Sequence, residues 1–236
     1  MRRLAAFANL LLAVCIASTA SAEEISALLQ RTLDAYGGVE LLSKVVAVRQ
    51  RGEVHPKRRH VGEVAALLRL FQGAEQLRVE IAYSGGAPEV RVLDGPQGWR
   101  DAVAVSGPLR DSMAIQAARL ALPLLLHERA DALIDRGSVP GGGAARRKLE
   151  LPLAGASSLL VEIDSESGRI LRSVGRLSMG AGGAMEFVTE YSDFRKVGGV
   201  LFAFRERNFA GGMVTAETVL DTVELLDAAP SGAFAP

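Results

Sequence analysis

Leu77-Arg78-Val79-Glu80-Ile81-Ala82-Tyr83 decides the fold class. Leu77, Val79, Ile81 and Tyr83 fall on one face, with Arg78 and Glu80 on the other. That period of two belongs to a half-buried strand, not to a helix. Working outward, Val46 and Val48 alternate with Ala47 and Arg49, and the run continues to Val54. A second strand is predicted over residues 61–71, and two short ones over 90–93 and 98–103, joined at Asp94-Gly95-Pro96. Six more follow, over 147–153, 159–164, 169–179, 184–194, 200–209 and 213–226. Most are separated by short Gly-containing turns such as Ser165-Glu166-Ser167-Gly168, 180–183 and Gly211-Gly212. Links this short join antiparallel neighbours only. The composition agrees, because 25 glycines scattered among short apolar segments punctuate strands with turns.

Two segments break the pattern. Over residues 23–42, Ile25, Leu28, Leu29 and Leu33 recur at helical spacing, and Gly37-Gly38 interrupts the run. Over 111–128, Ile115, Ala118, Leu122, Leu125 and Leu126 fit a helix apolar around much of its surface, kinked or broken at Pro123. A 137–145 stretch rich in glycine reads as a loop. The sum is a mainly β (α+β) chain of about eleven antiparallel strands, a single large curled sheet or half-open barrel. The N-terminal helix and the mid-chain helical insertion cap it.

The first 22 residues give an address. Arg2 and Arg3 precede an apolar run to Val14, and Ala20-Ser21-Ala22 closes the segment ahead of Glu23-Glu24. This is the order of a secretory signal peptide, with a core too short to span a bilayer. The expected mature chain starts at Glu23 as one domain over 23–236, in the periplasm. Cys15, the one cysteine, lies inside the signal, so no disulfide or thiolate metal site is expected. A lipoprotein acylated at Cys15 is the lesser alternative, because Val14 stands where such a peptidase wants a small residue. With Arg2 and Arg3 gone, 25 basic side chains face 27 acidic ones. That balance gives nucleic acid no general attraction.

Three pieces, in order, resemble one broad superfamily. They are Leu33-Asp34-Ala35-Tyr36-Gly37-Gly38, then Ser165-Glu166-Ser167-Gly168-Arg169-Ile170-Leu171, then Tyr191-Ser192-Asp193-Phe194-Arg195-Lys196-Val197-Gly198-Gly199-Val200-Leu201-Phe202-Ala203-Phe204. Over residues 28–226 the chain is similar to LolA/LolB-like periplasmic lipoprotein carriers and outer-membrane lipoprotein-sorting proteins. The resemblance implies an unclosed β-barrel capped by helices, whose lumen takes the acyl chains of a lipid or lipoprotein. It also implies an arginine inside the cavity that holds the lid, a role to which neither Arg49 nor Arg51 aligns.

A carrier needs an apolar concave surface, a movable lid and a polar mouth. Each buried methylene of an acyl chain then contributes about 0.8 kcal/mol. Candidate lining residues are Leu77, Val79, Ile81, Leu159, Val161, Ile163, Phe202 and Phe204, which on period alone serve equally as core. Candidate lid residues are Ile115, Leu122, Leu125 and Leu126. No HExxH cluster, Gly-x-Ser-x-Gly elbow or phosphate-loop ending occurs, so neither catalytic residues, metal nor cofactor is expected. His55 and His60 lie among Lys57, Arg58 and Arg59, a cluster that is either a solvated hairpin tip or a contact for anionic headgroups. The expected partners are a lipid or acylated protein and, transiently, a membrane or membrane protein. The expected function is a non-enzymatic carrier moving acyl cargo toward the outer membrane. The alternative is a sensor or interaction module on the same fold.

Overall fold

In the computed structural model, which describes residues 23–58, 61–139, 145–179 and 183–236, the chain opens with a helix over 23–36 (α1). Gly37 and Gly38 both take positive φ, 120° and 84°, and break the helix before a one-turn piece, Val39–Leu42 (α2). Leu28, Leu29, Leu33 and Tyr36 form the buried face of α1. The helix lies so close to the turn ending at Gly168 that a Cβ there would sit 2.6 Å from the Arg31 carbonyl oxygen.

The strands come next in two groups. The first comprises β1 (Ala47–Pro56), β2 (Ala65–Gln72), β3 (Gln76–Ala82), β4 (Glu89–Asp94), β5 (Gln97–Arg100) and β6 (Val103–Ala104). Then come α3 (Gly107–Leu120) and α4 (Leu122–Glu128). The second group comprises β7 (Ile134–Ser138), β8 (Arg146–Pro152), β9 (Ser158–Asp164), β10 (Ile170–Ser178), β11 (Ala184–Val197), β12 (Val200–Ala210) and β13 (Met213–Leu226). All belong to one antiparallel sheet, in the order β6-β5-β4-β3-β2-β1-β13-β12-β11-β10-β9-β8-β7. The last strand, β13, therefore returns to pair with the first, and the sheet stays open at β6 and β7.

This confirms the curled antiparallel sheet with helical caps, with four local corrections. Thirteen strands are described against the expected eleven. The segment 98–103 is not one strand. Asp101 and Ala102 take φ of 50° and 62°, the twist of a tight hairpin turn, and fold Val103–Ala104 back onto β5. The supposed loop from 137 begins inside a strand, because β7 pairs with β8 through an irregular register held by the Arg147–Asp135 ion pair. Finally, β2 starts at Ala65 instead of 61, since Gly62 turns the chain at φ 88° and leaves Val61 exposed. The signal segment with Cys15, and Arg59, His60 and residues 140–144 and 180–182, lie outside the described residues.

Helix α3 occupies the concave side and bridges the two arms of the curl, packing on β3, β4 and β5 at one end of the sheet and on β9 and β10 at the other. Gly175 on β10 makes that approach feasible: a Cβ there would fall far inside van der Waals contact with the Ile115 side chain. Pro123 lies in the first turn of α4, where its missing N–H costs nothing, and the helical axis breaks at Ala121 as expected. The core falls into two clusters. One joins α1, α4 and β8–β10, and the other joins α3 to β1–β3 and β13. Among the described residues no helix is long and apolar enough to cross a membrane.

Candidate functional site

The concave space under α3 and α4 contains two chambers that meet at one group of buried charges. On β2, Leu67, Arg69 and Phe71 share the inward face, and on β12 Phe202, Phe204 and Glu206 do the same. Arg69 and Glu206 are three strand steps apart through β1 and β13. On a flat sheet their backbones would stand ~14 Å apart, beyond easy reach for the two side chains. The curl brings them together. Arg69 Nη2 donates to Glu206 Oε1 at 2.7 Å and Nη1 to Oε2 at 3.2 Å, while Nε donates to Gln50 Oε1 at 2.6 Å. Gln50 is the register partner of Arg69 on β1, so the pair is braced where it crosses the sheet.

Helix α3 supplies a third charge. Arg119, in the last turn of α3, donates from Nη1 to Thr189 Oγ1 and to Asn208 Oδ1, and its Nη2 stands 3.6 Å from Glu206 Oε2. Thr189 and Asn208 are opposite each other across β11 and β12, and the Thr189 hydroxyl donates to Asn208 at 2.8 Å. Burial by itself would raise the Glu206 pKa. The charges of Arg69 and Arg119 and the hydrogen bond from Arg69 outweigh it and hold the carboxyl down at about 2. Tyr191, whose hydroxyl shares a 2.7 Å hydrogen bond with Ser173, is pushed up to about 12, chiefly by burial.

Below these charges lies an apolar chamber of about 150 Å³. Val48, Phe71, Leu122, Ile170, Leu201 and Phe202 are among its walls, with Tyr36 and Tyr191 adding aromatic surface. At ~10–15 Å³ per water of such space, it holds on the order of ten water-sized groups. Above the charges lies a second, polar chamber of about 290 Å³, whose walls mix Val54, Val79, Ile81 and Phe187 with the hydrogen-bonding side chains of Ser112, Gln116, Thr189, Asn208, Thr215 and Thr218. Arg119 and Glu206 line both chambers.

The expected lining residues divide accordingly. Phe202 lines the apolar chamber, and Val79 and Ile81 line the polar one. Leu77, Leu159, Val161, Ile163 and Phe204 are buried in the two core clusters instead, so their period-two pattern reports packing. Of the expected lid residues, Leu122 reaches the apolar chamber and Ile115 the polar one. Leu126 is core, and Leu125 walls a separate cleft beside Arg110 and Asp111. Arg49 is not in the lumen cluster but pairs with Glu224, and Arg51 is exposed at 4.0 Å from the same carboxylate.

No protein-family model matches the sequence, and no curated protein matches it either. Solved structures do match. A LolA superfamily protein from Nitrosomonas europaea superposes with a TM-score of 0.56 at 12% identity, over 84% of this chain and 96% of its own. A putative outer membrane lipoprotein-sorting protein domain from Vibrio parahaemolyticus gives 0.57 at 12% identity, over 91% and 97%. The fold is LolA-like. A DUF1329 family protein from Desulfovibrio piger gives 0.58 at 9% identity, over 89% and 96%. In this chain the concave side of that fold carries the Arg69–Glu206–Arg119 group. The signal for two of its members was present, since Arg69 and Glu206 stand at alternate positions with apolar residues that face inward. Arg119 stands near the end of α3, where the run 113–120 is otherwise apolar apart from Gln116.

Proposed function

We propose that this chain is a periplasmic carrier that takes up a lipid, or the acyl chains of a lipoprotein, and hands it on toward the outer membrane. The observation that carries the reading is the apolar chamber between the sheet and the junction of α3 with α4, with Leu122 and Phe202 on opposing walls. An acyl chain that replaces water there gains about 0.8 kcal/mol per methylene, enough for tight but reversible retention of a chain of ordinary length. Transfer needs an opening lid rather than a catalytic group, and we assign none. The leader at residues 1–22 fits the periplasmic address. The LolA-like fold and the name of the Vibrio parahaemolyticus neighbour, a lipoprotein-sorting domain, support the same cargo class.

Native mass spectrometry of protein purified gently from a periplasm tests this directly, with lipid extraction of the same sample. Discrete added masses that resolve into phospholipids or acylated peptides are the expected result. A bare polypeptide mass, together with no uptake of fluorescent acyl probes, would overturn the carrier reading.

A further inference from the structure

We propose that the cargo is an anionic amphiphile: its hydrocarbon occupies the apolar chamber and its negatively charged group seats on the Arg119 guanidinium at the boundary with the polar chamber. This rests on the carrier reading and specifies the ligand of that same site.

The first argument is charge. Where the chambers meet, two guanidiniums, Arg69 and Arg119, face one carboxylate, Glu206. Both oxygens of that carboxylate already accept from Arg69, and Arg119 remains 3.6 Å away, outside hydrogen-bond range. Arg91, the other cation on the polar chamber's wall, is matched by Glu89 at 2.9 Å. Among the described residues the lumen therefore carries one positive charge in excess, and it lies on Arg119. A guanidinium kept from bulk water without a full counter-charge is costly, and an incoming anion removes that cost.

The second argument is an unused donor. Arg119 Nε is buried and has no hydrogen-bond partner among the described residues, although its Nη1 is engaged by Thr189 and Asn208. Buried donors are normally satisfied, so this one marks a place for an acceptor. A guanidinium edge suits a carboxylate or a phosphate in particular, because two parallel N–H groups meet two oxygens.

The third argument is position. Arg119 is the cation that lines both chambers. Leu122 and Phe202 wall the side where hydrocarbon fits, whereas Gln116 and Thr218 offer hydrogen bonds on the other. An amphiphile laid across this boundary passes from the apolar chamber into one whose walls mix apolar and hydrogen-bonding side chains. A neutral lipid would leave the excess charge uncompensated, and a free anion would leave the apolar chamber unfilled.

The test is displacement of the neutral dye Nile red from the full-length secreted protein by three twelve-carbon ligands: dodecanol, dodecanoate and dodecyl phosphate. Inorganic phosphate and acetate are run alongside. A charged hydrogen bond in a buried site predicts that both anionic ligands bind on the order of ten-fold more tightly than dodecanol. The ratio should collapse toward one in Arg119→Gln. Should that variant fold poorly, Arg119→Lys keeps the charge without the planar fork and should retain only part of the preference. Equal affinities for dodecanol and dodecanoate would overturn the inference while leaving the carrier reading intact, as would a preference unchanged in both variants. Failure of all three ligands to displace the dye would sink the carrier reading and the inference with it. Binding of inorganic phosphate without dye displacement would show a free-anion site, which also refutes the amphiphile.

Discussion

Replacing Glu206 by Gln removes the lone carboxylate between Arg69 and Arg119, and its cost follows from two independent lines. Removing one partner of a buried ion pair costs about 3–5 kcal/mol, because the other charge stays buried alone. The pKa gives a second figure: a carboxyl held at about 2 in the fold, against an ordinary value of 4.5, contributes on the order of 3 kcal/mol at neutral pH. For a chain of this size that is a fall in Tm of roughly 6–12 °C. The folded-state pKa is depressed, so the stabilisation is complete above pH 4.5 and drains away as pH falls toward 2. By pH 3 more than half is gone. The assay is guanidinium unfolding of wild type and Glu206→Gln at pH 7 and pH 3. The gap between the two proteins should be wide at pH 7 and should narrow on acidification. An apolar double variant, Arg69→Met with Glu206→Leu, should lose less than Glu206→Gln alone, since no orphan charge of the pair remains. A gap under 1 kcal/mol at pH 7, or one that does not change with pH, would refute the view that these charges are dry and coupled.

Gly175→Val should lower stability by about 1–3 kcal/mol through overpacking, because the new side chain must displace Ile115 and lift α3 from β10; faster proteolysis within 107–128 would show the lifting. Phe202→Ala should weaken retention of a long-chain acyl probe by on the order of ten-fold or more, read by fluorescence titration, whereas Leu77→Ala should cost about 2–5 kcal/mol of stability with less effect on the remaining affinity. Asp164 offers a milder acid-linked effect. Burial alone would raise its pKa, but the Ser167 amide at 2.6 Å and hydroxyl at 2.7 Å, with the Glu166 amide and the charge of Arg146, hold it low. Asp164→Ala should therefore cost about 1–3 kcal/mol at pH 7 and progressively less in acid, as measured by unfolding across pH.

The regular part of this fold was legible because it is local. Val200, Phe202 and Phe204 announce a strand face, and Pro123 announces where one helix must end and another begin. The short edge strands were not legible, because β6 depends on two non-glycine residues taking positive φ, a conformation that the sequence signals only weakly. The charged centre escaped for a different reason. Arg69 and Glu206 are 137 positions apart, and only the curvature of the sheet makes them neighbours. Alternation assigns each to a face but says nothing of how strongly that face bends. A search for His, Cys and carboxylate clusters passes over a site built from two arginines and one glutamate.

The helical segment also has a bearing on how anything gets in. Its two ends are tied to β6 and β7, which are the opposite free edges of the same sheet. A cover fastened on both sides cannot swing aside like a door; it can only slacken or tighten like the string of a bow. Slack comes when the two edges approach each other, and tension when they spread. Under the proposed carrier reading, admission of cargo would be a change in the arc of the whole sheet, with the break at Ala121 as the point where the string bends. The Arg69–Glu206 contact is a chord across that arc, so on the same reading one ion pair would govern both the stiffness of the sheet and the ease of loading.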